Sequence, residues 1–170
     1  MKALSFIGKV LLATVCLTAL SCGGDDHTQA SAQTAGSEDN PTTSKMYITI
    51  DGKTQSITLA DNQATRELVS RLRDGDVTVA LSSNGDFEIW GSLGFSLPAN
   101  DQQIKGSPGD VLLYNSHNIC LFYGSNSWSY TRLGKIDGLS ENELRTFLKA
   151  GESGIAVTLS LNAGVSGTGK

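Results

Sequence analysis

The chain has 170 residues, 17 acidic and 13 basic, for a net charge of −4, with three cysteines and two histidines. Acids and bases are interspersed and no basic stripe exists, which argues against nucleic acid as a partner. The histidines and cysteines are too few and too scattered for a metal site, and no cofactor is expected.

In chain order, Lys2 and Lys9 lead into Val10 to Leu20, almost wholly apolar, which closes on Ala19-Leu20-Ser21-Cys22. That is the grammar of a secretory signal, and the run falls short of the roughly 20 residues a membrane helix needs. Small residues alone would serve ordinary cleavage. Gly23-Gly24-Asp25-Asp26 follows, however, and the segment resembles a lipobox whose leucine lies one place closer to the cysteine than usual. The resemblance implies lipid attachment at Cys22, and two or three acyl chains there would anchor the protein stably. The Asp25-Asp26 pair resembles a signal for display on the outer face of the outer membrane, though it reads equally well as the start of a solvated linker. The expected location is the bacterial cell envelope, with the membrane contacted through the lipid anchor.

Residues 1–21 are thus expected to be a signal peptide and 22–45 a disordered tether, with no large apolar residue from Gly23 to Ser44. Residues 46–161 form one domain, expected to be monomeric, and 162–170 a flexible tail. Cys16 falls in the signal and Cys22 takes lipid, so Cys120 is left without an internal partner. It sits in Ile119-Cys120-Leu121-Phe122-Tyr123 and reads as a buried, inert thiol.

The domain is patterned for strands. Tyr47 to Ile50 and Ser56 to Leu59 flank the tight-turn dipeptide Asp51-Gly52. Asn62 caps a helix with Ala64, Leu68, Val69 and Leu72 on one face. Strands are expected at Val77 to Leu81 and Phe87 to Trp90. Val111 to Tyr114 and Ile119 to Tyr123 form a second hairpin, and Ser129 to Leu133 continues the set. Ser140 and Glu143 form a capping box for a second helix, with Leu144, Phe147 and Leu148 inward and Gly151 as its stop. Ile155 to Leu161 ends the domain with period-two alternation. About eight strands and two helices fit a closed barrel, with a β-sandwich as the rival.

Trp90-Gly91 to Ser96-Leu97-Pro98, then Pro108 to Tyr114, Leu121 to Gly124 and Tyr130 to Ile136 follow one another in order. With the opening hairpin and the Asn62 helix, this set resembles the bacterial cyclophilin-like domain family over nearly the whole domain. The resemblance implies a mainly β fold, a closed eight-stranded barrel capped by two α-helices. The prolyl isomerase signature, Phe-His-Arg and a later Gln-Gly-Gly-Asp-Phe, is absent, so no position inherits the catalytic arginine.

Isomerisation needs an apolar groove and one fixed donor to the twisted amide. Trp90, Phe95, Leu97, Tyr114, Tyr123, Trp128 and Tyr130 are candidates to line such a groove, and Arg132 is a weak candidate for the donor. The same aromatics also read as core or cross-strand pairs. Ser116-His117 lacks a nucleophile elbow, Asp74-Gly75-Asp76 lacks the rest of a calcium loop, and Gly164 to Gly169 lacks a phosphate-loop setting. The stretch from Gly91 to Gly109 reads as a plug across one barrel end or as a binding loop. The expectation is a non-catalytic binding module for a peptide or envelope protein. An unconventional prolyl isomerase or chaperone and a small-ligand pocket protein are the alternatives.

Overall fold

A computed structural model of the chain describes residues 44–164. Cys22, the signal segment and the tether before Ser44 lie outside them. In chain order the elements are β1 (Lys45–Ile50), β2 (Lys53–Leu59), α1 (Gln63–Arg73), β3 (Val77–Asn84), β4 (Glu88–Ser92), β5 (Gln102–Gly106), β6 (Asp110–Tyr114), β7 (Asn118–Phe122), β8 (Asn126–Ile136), α2 (Glu141–Phe147) and β9 (Ile155–Ser160).

Local chemistry sets the turns and caps. Asp51 and Gly52 adopt φ of 47° and 74°, the left-handed pair whose twist joins β1 to β2 without splaying them. At α1, the Asn62 side chain accepts the Thr65 N–H at 3.0 Å and Thr65 Oγ1 accepts the Asn62 N–H at 3.2 Å. Asn62 Nδ2 also donates to the Arg132 carbonyl at 2.7 Å, so the cap fastens the helix to β8. Ala64, Leu68, Val69 and Leu72 are buried, the expected face. Ser140 and Glu143 form the second capping box, and α2 buries Leu144 and Phe147. It ends at Phe147, before Gly151.

Eight strands close on themselves in the order β2-β1-β9-β3-β4-β7-β6-β8, all antiparallel, with β2 returning to β8 through Ile57↔Ile136 and Leu59↔Gly134. Closure decides for the barrel over the sandwich. Inside lie Ile48, Ile57, Leu81, Ile89, Leu113, Leu121, Leu133 and Val157, all fully buried. Leu68 and Leu72 of α1 and Leu144, Phe147 and Leu148 at α2 belong to the same core. The Gly91–Gly109 stretch buries Leu93 and Leu97 there, with Phe95 packed against them, as a plug would. It also contains an unexpected strand. β5 pairs only with the N-terminal half of β8, outside the closed ring.

A bulge sets up the site. Val111 faces Gly134 and Leu112 faces Arg132, so Leu133 is the extra residue in β8. Beyond it the long strand continues to Asn126 and, with β5, forms a two-stranded ribbon lying on the outside of the barrel.

Candidate functional site

Strand alternation sorts side chains between the inside and outside of the ring. On β4, β6 and β7 the odd positions Ile89, Val111, Leu113, Ile119 and Leu121 enter the barrel core. The even positions face outward, yet Leu112, Cys120 and Phe122 are buried with Tyr130 in a second cluster. The ribbon covers them. A Cβ on Gly106 of β5 would collide with the Phe122 ring, so only glycine lets the ribbon approach this closely. Double coverage explains why β6 and β7 read as continuous apolar runs rather than alternating ones.

Beside this second cluster lies a cavity of about 210 Å³. Trp90 and Tyr114 meet edge-to-face with centroids 6.2 Å apart, and Tyr114 meets Tyr130 in the same way at 6.1 Å. Trp128, 56% exposed, stands at the lip, the exposed large apolar side chain among the described residues. Asn84, Cys120 and Asn126 complete the lining with Glu88. No lining residue is basic.

Glu88 is the unusual member, a carboxylate only 3% exposed. Its Oε1 accepts from Asn84 Nδ2 at 2.9 Å, while Oε2 has no hydrogen-bond partner among the described residues. A buried polar atom without a partner costs about 1–3 kcal/mol. Burial raises the Glu88 pKa, and the lowering by the Asn84 amide and the neighbouring Cys120 thiol does not cancel that rise. The same burial, with Glu88 alongside, pushes the Cys120 thiol far up and leaves it inert. Burial and Glu88 push the Tyr130 hydroxyl up to about 12. Glu88 is therefore the acid of this pocket that holds its proton more tightly than an ordinary glutamate.

Trp90, Tyr114, Trp128 and Tyr130 are brought together in this pocket. Phe95, Leu97 and Tyr123 lie elsewhere. Phe95 packs at the core margin with the Arg71 guanidinium 4.9 Å above its ring, and Leu97 is in the barrel core. Tyr123 is 1% exposed in that core beneath Arg145. Phe95 and Leu97 lie in the connection between β4 and β5, and Tyr123 follows β7 at an inward-facing position, which residue type alone does not reveal. Arg132 is also outside the pocket. Its Nη1 donates to Asp110 Oδ1 at 2.8 Å, and the Asp110 side chain is 5% exposed. Arg132 lines a separate cavity of about 390 Å³ with Asn62, Pro98, Asn100 and Thr131. No group of three or more His, Cys, Asp or Glu that could hold a metal occurs among the described residues.

Sequence reasoning missed Glu88, Asn84 and Asn126. One signal was available: with β6 and β7 apolar on both faces, the outer face had to be covered, and a glutamate on it had to be buried.

Fold and site together define a small antiparallel barrel whose pocket lies outside the ring, beneath an added ribbon. The chain belongs to the cyclophilin-like family, whose sequence profile matches residues 48–160. It is similar in structure to a hypothetical protein from Archaeoglobus fulgidus solved in solution, at 17% identity and a TM-score of 0.49, over 69% of this chain and 94% of that one. No curated protein matches the sequence.

Proposed function

We propose that this chain is a non-catalytic binding module of the bacterial cell envelope, lipid-anchored through Cys22, and that its ligand enters the Glu88 pocket. The observation that carries the reading is Glu88 Oε2, buried without a partner in an aromatic-lined cavity. Folding a carboxylate into such a place costs stability, and a donor on a bound ligand would offset that cost. Arg132 supports the non-catalytic part, since its guanidinium is paired with Asp110 and does not line the Glu88 pocket.

The chain's two tryptophans, Trp90 and Trp128, both line the pocket. Full-length protein labelled with fluorotryptophan and held in a sugar detergent therefore gives two fluorine signals that report on this site. A fragment and peptide screen is expected to move them; a screen in which neither signal moves sinks the pocket as a ligand site. Acceleration of Xaa-Pro exchange in peptides would overturn the non-catalytic reading. For the anchor, palmitate label is expected on the chain and not on Cys22→Ala, and an unlabelled wild-type protein would end that part.

A further inference from the structure

From the aromatic walls and the unpartnered buried carboxylate oxygen of the pocket, we infer that its ligand is an organic cation, an ammonium head group carrying apolar substituents. This rests on the Glu88 pocket being the ligand site, and it names what that site takes. Each class of ligand can be tried against the same lining. An anion would meet Glu88 with no basic side chain to offset it. A hard inorganic cation wants six or more oxygen ligands, far beyond one carboxylate and two amides. A neutral apolar group would seal Oε2 away from water and leave it unbonded, which is costly. An alkylated ammonium satisfies both halves of the site. Its charge meets the carboxylate, and its polarised methyl or methylene groups lie against the aromatic walls formed by Trp90, Tyr114, Trp128 and Tyr130.

Size agrees. At about 210 Å³ the cavity is smaller than the roughly 300–1,000 Å³ of drug-sized sites. It holds a head group, and the remainder of the ligand leaves past Trp128 at the lip. The raised pKa of Glu88 adds a signature, because a bound cation favours the charged carboxylate and so drives off the proton. The groups facing Glu88 are Asn84 from β3, Cys120 from β7, and Tyr114 and Tyr130 from β6 and β8. The Cys120 thiol and the Tyr130 hydroxyl are both pushed upward, and neither titrates with Glu88. Cation affinity therefore rises with pH through the Glu88 titration and levels off above it.

The test uses choline and its uncharged carbon analogue, 3,3-dimethyl-1-butanol, titrated into the fluorotryptophan-labelled full chain. Choline is expected to bind roughly tenfold or more tighter than the alcohol at mildly alkaline pH. Glu88→Gln keeps the shape, removes the charge and should cut that preference severalfold while leaving the alcohol's affinity in place. Trp128→Ala, at an exposed position, should weaken choline binding with the fold intact, read from the Trp90 signal. Equal or tighter binding of the alcohol, or a preference left unchanged by Glu88→Gln, overturns the inference. If both probes are silent while other compounds from the wider screen still move the signals, the cation is wrong and the pocket stands. Silence from every compound removes both.

Discussion

The inside and the outside of this barrel are packed by opposite rules. Inside, mostly Ile, Leu and Val side chains mesh with no unpartnered polar atom among the described residues, and the helices add Leu, Ala and Phe. Outside, beneath the β5–β8 ribbon, four aromatic side chains and a thiol surround a carboxylate with one oxygen unpartnered among the described residues. A core selected for stability would not retain that group, since an apolar residue of similar shape would be neutral or better. The inner cluster holds the fold, and the outer one carries a polar group that costs stability.

Mutations can break or sharpen that contrast. The largest effect belongs to the inner face: Leu113→Ala should cost about 2–5 kcal/mol in urea unfolding, and a loss below 1 kcal/mol would show a looser interior than its complete burial implies. Next comes the seam between the two. Gly106→Val should drive the ribbon off Phe122, cost about 1–3 kcal/mol and shift both tryptophan signals. Unchanged signals would detach the ribbon from the pocket's architecture.

Glu88→Gln should do the reverse and stabilise the ligand-free protein at neutral pH by about 1 kcal/mol, a rise in Tm of a few degrees. The sign follows from the raised pKa. The folded state holds the proton more tightly than the unfolded chain, so wild-type stability is full below about pH 4 and falls as pH rises toward the folded value. The advantage of the variant should grow over that window and vanish in acid; a pH-independent difference would contradict it. The smallest effect on stability is Trp128→Ala, within about 0.5 kcal/mol, although it removes the lip of the pocket. A large loss of stability there would make Trp128 a packing residue first.

Much of the fold was legible because its determinants are local. Asn62, Ser140 with Glu143, and Asp51-Gly52 each act within four residues, and all three appear where the sequence places them. β5 was hidden for a physical reason. Gln102-Gln103-Ile104-Lys105-Gly106 carries one apolar side chain, because one face of the ribbon meets solvent and glycine forms the contact on the other. The pocket was half legible. Aromatic residues flagged the right neighbourhood, yet separating Trp90 and Tyr114 from Tyr123 and Leu97 required strand register. The Arg132–Asp110 pair required the Leu133 bulge, which arises only when β6 and β8 are aligned. Glu88 resembled any solvent-facing strand glutamate until its outer neighbours were seen to be covered.

A ring of strands offers no free side for another chain to join, and all eight barrel strands are in that ring. β5 is the exception among the described residues, with β8 on one side and nothing on the other. An exposed row of unpaired amides templates aggregation unless it is blunted. Here the row is five residues long, mostly polar, with Lys105 exposed within it and Pro108 just beyond. Those features keep neighbouring copies from zipping together through the strand that builds the pocket. Replacing Lys105 with an apolar β-former should turn a soluble wall into a sticky one.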